Sequence, residues 1–392
     1  MKILAVNAGS SSMKFQLFLM PEERLLVSSN FERIGSNESI YSIIINDRKI
    51  TKETPINNHK DAVYLFLKEL IDNKIILNLD EIKAVGHRIV HGADKYNKPV
   101  IINDLVIADI RKYISLAPLH NPAGIIGVEE IISSLPHTIN IAVFDTSFHQ
   151  TMEPESFIYP IPYEWYTNYG VRRYGFHGIS HEYITNRLSE IIGSKSFKVI
   201  ICHLGNGSSI TAVKDGKSVE TSMGFTPLAG IPMGTRCGDI DSSIIEYMMK
   251  EKNVDINNIM TDLNKKSGLI GISGISNDAR DIEDAILRGE PRAILTYNIF
   301  GRKIASYIAS YNCLLDGTDA IVFTGGLGAN SQMIRANVIQ MISALGVKID
   351  ESKNNVRGIE QKISDSTSTI DCYVIPTNEE LLIVRETYDL IK

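Results

Sequence analysis

Apolar residues in this chain come in short runs, each closed by a polar, glycine-rich segment. Ile3-Leu4-Ala5-Val6 is continuous, Asn7-Ala8-Gly9-Ser10-Ser11-Ser12 is polar, and Lys14-Phe15-Gln16-Leu17-Phe18 alternates. That order predicts a strand over 2–6, a turn over 7–12 and a second strand, hence a hairpin. The same order returns in the second half. Lys198-Val199-Ile200-Ile201-Cys202 is apolar, His203-Leu204-Gly205-Asn206-Gly207-Ser208-Ser209 is polar, and Ile210-Thr211-Ala212-Val213 runs on to Asp215-Gly216. Gly9-Ser10-Ser11 and Gly207-Ser208-Ser209 stand at the same place in the same unit, 198 residues apart. A repeat at about half the chain length predicts two similar α/β halves, each opening with a hairpin.

Between these units the period changes. Ala293, Tyr297, Phe300, Ile304, Ile308, Tyr311 and Leu315 follow one another by threes and fours, which predicts a long amphipathic helix ending at Asp316-Gly317. Ala320 to Thr324 then reads as a strand, Gly325 to Asn330 as a third glycine turn, and a helix follows from about Gln332. A strand, a glycine turn and a helix in that order present backbone N–H groups to phosphate. Ser364 to Thr369 is a Ser/Thr cluster and reads as a loop.

Composition narrows the field. The chain has 392 residues, 44% hydrophobic and 22% charged, with 40 Lys and Arg against 46 Asp and Glu. This is globular composition, with length for two domains. A net charge of -6 argues against a nucleic-acid or polybasic membrane-binding protein. Cys202, Cys237, Cys313 and Cys372 are scattered, with no C-x-x-C pair, which fits a reducing cytoplasm. No apolar run reaches membrane-spanning length.

Common nucleotide motifs fail. Thr211 stands where a Walker A loop ending at Gly216-Lys217-Ser218 needs glycine, and Ser331 stands where a dinucleotide fingerprint from Gly326 needs one. His-Arg-Asp of protein kinases is absent. His87/His91 and His177/His181 have H-x-x-x-H spacing, but neither pair has the Glu of a zinc hydrolase, and Gly178 breaks the helix the second would need. Three strand-end glycine turns remain, with a set of cationic and imidazole residues among apolar ones. Arg88 lies in Gly86-His87-Arg88-Ile89-Val90-His91-Gly92, His120 follows Leu119, and Asp145 closes an apolar run. Arg172-Arg173-Tyr174-Gly175-Phe176-His177-Gly178 and Gly234-Thr235-Arg236-Cys237-Gly238-Asp239 set charge between glycines, as a loop approaching an anion does.

These segments together resemble the acetokinase family, within the superfamily of acetate and sugar kinases, actin and hexokinase. The resemblance runs from Asn7-Ala8-Gly9-Ser10-Ser11-Ser12 through Ala117 to Ala123, Phe144 to His149, Met233 to Arg236 and Asn277 to Arg280, to Thr377-Asn378-Glu379-Glu380. It implies duplicated ribonuclease-H-like domains with an interdomain cleft, divided as 1–149 plus 382–392 and 150–381. The second domain would carry the nucleotide site and the dimer contacts of a cytoplasmic homodimer. It implies reversible, direct in-line transfer of the ATP γ-phosphoryl group to acetate, giving acetyl phosphate and ADP, with Mg2+ or Mn2+; propionate is the alternative acceptor.

By position, Asn7 and Glu379 would lie near the metal. Arg88 and Arg236 would hold acetate and the transferring group, with His177 and His120. Val90, Leu119, Phe176 and Pro227 would line the methyl pocket. Lys14, His203, Leu204, Gly205, Asn206, Gly207, Asp278, Ala279, Arg280, Gly326, Leu327, Gly328, Ala329 and Asn330 would contact ATP. The chain departs from the family pattern at Cys237, usually Ser, at Ser242, usually Pro, and at Ala329, usually Glu. Asp145 occupies the position assigned to proton transfer. A carboxylic acid with a pKa of about 4.3 is already ionised at neutral pH and needs no base. Orientation of an arginine or of a metal-bound water is the other reading of Asp145.

Overall fold

The opening hairpin is longer than its polarity predicts. In the computed structural model, which describes residues 1–118 and 120–392, β1 (Lys2–Gly9) pairs with β2 (Ser12–Leu19) out to Gly9 and Ser12, with Asn7 opposite Lys14. Only Ser10 and Ser11 are left for the turn. Ladder hydrogen bonds join backbones, so polar side chains at a sheet's end do not stop a strand. The second hairpin behaves likewise. β9 (Lys198–Leu204) and β10 (Ser208–Lys214) leave a turn of 205–207, and Ser208 and Ser209 are buried strand residues.

Each hairpin opens a sheet. The first adds β3 (Arg24–Glu32), β4 (Ile40–Ile45), β5 (Arg48–Glu53), β6 (Ile82–Ile89), β7 (Val100–Ile101) and β8 (Ile139–Phe144), in the order β5-β4-β3-β2-β1-β6-β8-β7. The second adds β11 (Lys217–Thr221), β12 (Ala320–Thr324), β13 (Gln361–Lys362) and β14 (Asp371–Val374), in the order β11-β10-β9-β12-β14-β13. Five strands correspond: β3-β2-β1-β6-β8 and β11-β10-β9-β12-β14. In both sets the first three are antiparallel and the last three parallel. The predicted duplication is thus present in the topology. The inner parallel strands are continuous apolar runs because both faces are covered, and every residue of β12 is buried.

The chain divides into two compact units, Met1–Phe148 with Asn378–Lys392, and His149–Thr377. In the first, the helix Glu379–Ile391 packs on β1 and β6. It lies so close at Gly86 that a Cβ there would collide with Thr387 Oγ1 and Ile383 Cγ2. In the second, the long helix Pro291–Leu314 covers β9 and β10. The predicted glycine turn over 325–330 is instead a six-residue helix, Gly325–Asn330, followed by the helix Gln332–Met341. Gly325, at φ +75°, makes the reversal out of β12, after which the remaining residues satisfy one another's backbone groups. No helix among the described residues is long and apolar enough to cross a membrane.

Candidate active site

In the first unit, candidate residues collect where the parallel strands end. Asn7 is near the end of β1 and Arg88 near the end of β6; Asp145 directly follows β8, its N–H bonded to Ile89 O at 2.9 Å. Ligands of open α/β sheets bind outside these carboxyl ends. Arg88 donates to Asp145 through Nη2 and to Asn7 Oδ1 at 3.3 Å, and its Nε lies 3.9 Å from Glu379 Oε2. Glu379 begins its helix behind Asn378, whose side chain caps Leu381 N at 3.0 Å. Burial raises the Glu379 carboxyl to about 7; Arg88 pulls it down and Asp145 pushes it up. Burial works against the Arg88 charge, and Asp145 and Glu379 more than restore it.

Two buried atoms of this cluster, Asp145 Oδ1 and Arg88 Nε, have no hydrogen-bond partner among the described residues. Orphaned buried polar atoms are costly unless a ligand completes them. Asn7, Asp145 and Glu379 offer only hard oxygen donors, which suit a magnesium-type ion that keeps water and phosphate in its shell. Among the described residues no group of three or more His, Cys, Asp or Glu forms a metal cage. The zinc reading of the histidine pairs fails structurally as well. His87 is a strand residue bonded to Asn140 Oδ1 at 2.8 Å, and His177 and His181 both turn to Ser209 Oγ, at 3.0 and 2.7 Å. Lys14 is exposed on β2, His120 precedes the helix Asn121–Ser134, and Val90 is half-buried just past β6. Leu119 lies outside the described residues.

In the second unit, His177 caps the helix Gly178–Ile192 in a left-handed conformation, φ +58°. A non-glycine residue held there marks a constraint from its surroundings. Its ring stacks on His203 at 4.3 Å, and His203 is held by Ser180 Oγ at 2.8 Å. Gly207 leaves room for this arrangement: a Cβ there would stand 3.2 Å from His177 Nε2 and 3.7 Å from Arg236 Nη1. Arg236 donates to Pro227 O at 3.0 Å and makes no ion pair among the described residues. Burial lowers its pKa, so an anion is what this cation lacks. Phe176 is buried, and its carbonyl accepts from His149 Nε2 at 3.0 Å.

The two arginines before it are used differently. Arg173 bonds Thr221 O at 2.6 Å and Ser156 O at 3.2 Å and pairs with Glu220, while Arg172 stacks on the Phe157 ring at 3.6 Å. Both brace the segment leading to His177.

A pocket of about 720 Å³ lies in this unit. Of the expected ATP contacts, Gly205, Asn206, Asp278, Ala279, Arg280, Gly326, Leu327 and Asn330 line it. Asp278 caps the helix Ala279–Leu287 and pairs with Arg280 at 2.5 Å. His203, Leu204, Gly207, Gly328 and Ala329 are not in its lining. Ala329 is 4% exposed and packs in the core, so the departure from Glu there removes no pocket side chain. Leu269, Asn277, Glu283, Ser331 and Arg357 complete the lining. Of these, Asn277 belongs to the segment Asn277 to Arg280, and Ser331 directly follows the segment Gly326 to Asn330.

This geometry has close counterparts in known proteins. The family model described as "Acetokinase family" matches residues 2–385. The chain belongs to the acetokinase family. A relative named acetate kinase from Geobacillus sp. (strain WCH70) is 50% identical over 391 residues, covering 99% of this chain and 98% of that one. The crystal structure of Porphyromonas gingivalis acetate kinase superposes with a TM-score of 0.94 at 40% identity, with all of both chains covered. That of a propionate kinase from Francisella tularensis subsp. tularensis SCHU S4 gives 0.95 at 42%, again over both whole chains. The fold of this acetokinase is therefore the α/β fold that its own strand order shows.

Proposed function

We propose that this chain catalyses reversible, direct transfer of the ATP γ-phosphoryl group to acetate, giving acetyl phosphate and ADP. The observation that carries the reading is the full-length identity of 50% to a protein named acetate kinase. Two arginines, Arg88 at the end of β6 and Arg236 in the loop after β11 without an anionic partner, support it.

Phosphoryl transfer spreads charge over the equatorial oxygens in a loose transition state, so the protein's work is alignment and charge neutralisation. Arg236, with His177 Nε2 turned to the same side of Gly207, binds the transferring group. Arg88, aimed by Asp145 and Asn7, holds the acetate carboxylate. Asp145 orients Arg88 in this scheme and takes no proton, because acetate attacks as the anion. Asn7, Asp145 and Glu379 would hold magnesium, which when bound neutralises the β- and γ-phosphate oxygens. Residues 205–206, 278–280, 326, 327 and 330 keep ATP in the pocket they line. Lys14 and His120 serve phosphate and acetate from the first unit.

Val90, Leu119, Phe176 and Pro227 are assigned to the methyl group by their positions in the family's sequence segments. A second reading, propionate as acceptor, is favoured by the likeness to the propionate kinase of Francisella tularensis, since one methylene is worth only about 10–200-fold in an apolar pocket. We infer a homodimer, supported by the exposed apolar side chains Tyr163, Trp165, Tyr169, Ile244 and Tyr247 of the second unit, in the cytoplasm, supported by the unpaired cysteines.

Trapping acyl phosphate as hydroxamate, with ATP and magnesium, tests the reading. The kcat/KM for acetate is expected to exceed those for propionate and butyrate. A higher value for propionate would move the assignment to the second reading, and no acyl phosphate from any acid would end both.

A further inference from the structure

Arg335, in the helix Gln332–Met341, is 0% exposed and does not line the nucleotide pocket. All three nitrogens of its guanidinium nonetheless donate hydrogen bonds. Nε donates to Asn354 Oδ1 at 2.7 Å, and Nη2 donates to Asn354 O at 2.6 Å and Val356 O at 3.0 Å. Nη1 donates to Gly328 O at 2.8 Å. No carboxylate pairs with it among the described residues. Burial lowers its pKa to about 10, which leaves it charged at neutral pH.

The acceptors belong to two segments that both reach the pocket. Gly328 lies in the helix Gly325–Asn330, whose Gly326, Leu327 and Asn330 line it. Val356 immediately precedes Arg357, which also lines it and makes no ion pair among the described residues. A backbone bond from Gly358 N to Ala329 O, at 3.1 Å, joins the same two segments. Apolar side chains in the place of Arg335 would leave its acceptors unpaired. Nor could they supply a planar fork holding three carbonyls and an amide in fixed directions.

We propose that Arg335 is a positioning residue for the nucleotide: it locks the helix Gly325–Asn330 and Arg357 into one wall of the pocket. It sets affinity for ATP without contacting it. This rests on reading that pocket as the ATP site.

The test is steady-state kinetics of Arg335→Lys, Arg357→Ala and the double variant. Lysine keeps the charge and loses the fork. Arg335→Lys is expected to raise KM for ATP about tenfold, with kcat and KM for acetate within about twofold of the parent. Arg357→Ala should raise KM for ATP alone, and the double variant should be no worse than the weaker single, because both act on one wall. A folded Arg335→Lys protein with unchanged KM for ATP, or fully additive effects, overturns the proposal. Should Arg335→Lys not fold, Asn354→Ala removes one acceptor of the clamp; the same selective rise in KM for ATP is expected, and its absence overturns the proposal. Calorimetric titration of the unaltered protein with ADP separates the two ideas: no binding would overturn the pocket reading itself.

Discussion

Arg88 and Arg236 differ in what they touch from arginines that are fully matched by acids or carbonyls. Arg173 binds carbonyls and Glu220, Arg187 binds Glu360 at 2.7 Å, and Arg280 binds Asp278. Arg236 has one carbonyl and no acid, and Arg88 has two acids beside it and an Nε with no hydrogen bond. Replacing either by alanine is expected to lower kcat by a factor on the order of 10²–10³, the scale of a lost transition-state donor. Near-normal turnover in both variants would contradict the roles given them. Asp145→Asn is expected to raise the magnesium requirement and to keep most of kcat at saturating metal. Collapse at every magnesium concentration would contradict a role limited to holding the metal.

At the scale of elements, the site depends on how closely the helix Glu379–Ile391 lies on β6. Gly86→Ala would drive a methyl into Thr387 and Ile383. Overpacking of this kind costs about 1–3 kcal/mol, read by denaturant unfolding, and should carry Glu379 with the helix and raise the magnesium requirement. Unchanged unfolding would show that the helix yields freely. The sequence made much of this level legible. Hairpins, the long helix Pro291–Leu314 and the duplication follow from apolar periodicity, which burial imposes directly. The extent of each hairpin was not legible, because Asn7 and Ser208 pair through backbone atoms that their polarity does not report. The helical form of 325–330 was hidden by its glycines. Leu269 and Arg357 reach the pocket from segments distant in sequence from those recognised, and no local pattern marks them. Ala329 shows the converse: a position in a recognised motif whose side chain faces the core.

Stability of the whole molecule should respond to acid through buried imidazoles. Burial lowers the pKa of His87 and His91 from the ordinary 6.5 to about 4. Above pH 6.5 both rings are neutral, folded or unfolded; below it the unfolded chain takes up protons first. Stability is therefore lost as pH falls from 6.5 toward 4, by up to about 1.4 kcal/mol per pH unit for each ring. In His87→Gln, which can still donate to Asn140, the loss of stability between pH 7.5 and pH 5, the two conditions to be compared, should be smaller than in the parent, by about 1–2 kcal/mol. Equal losses would contradict the assignment. The central claim concerns the path of the phosphoryl group: acetate, already an anion, attacks ATP directly while the protein aligns and neutralises. The measurement that tests it most directly is the configuration at phosphorus in acetyl phosphate formed from ATP with an isotopically chiral γ-phosphoryl group. Inversion is the result this account predicts, and retention, the mark of a phosphorylated side chain between two transfers, would contradict it.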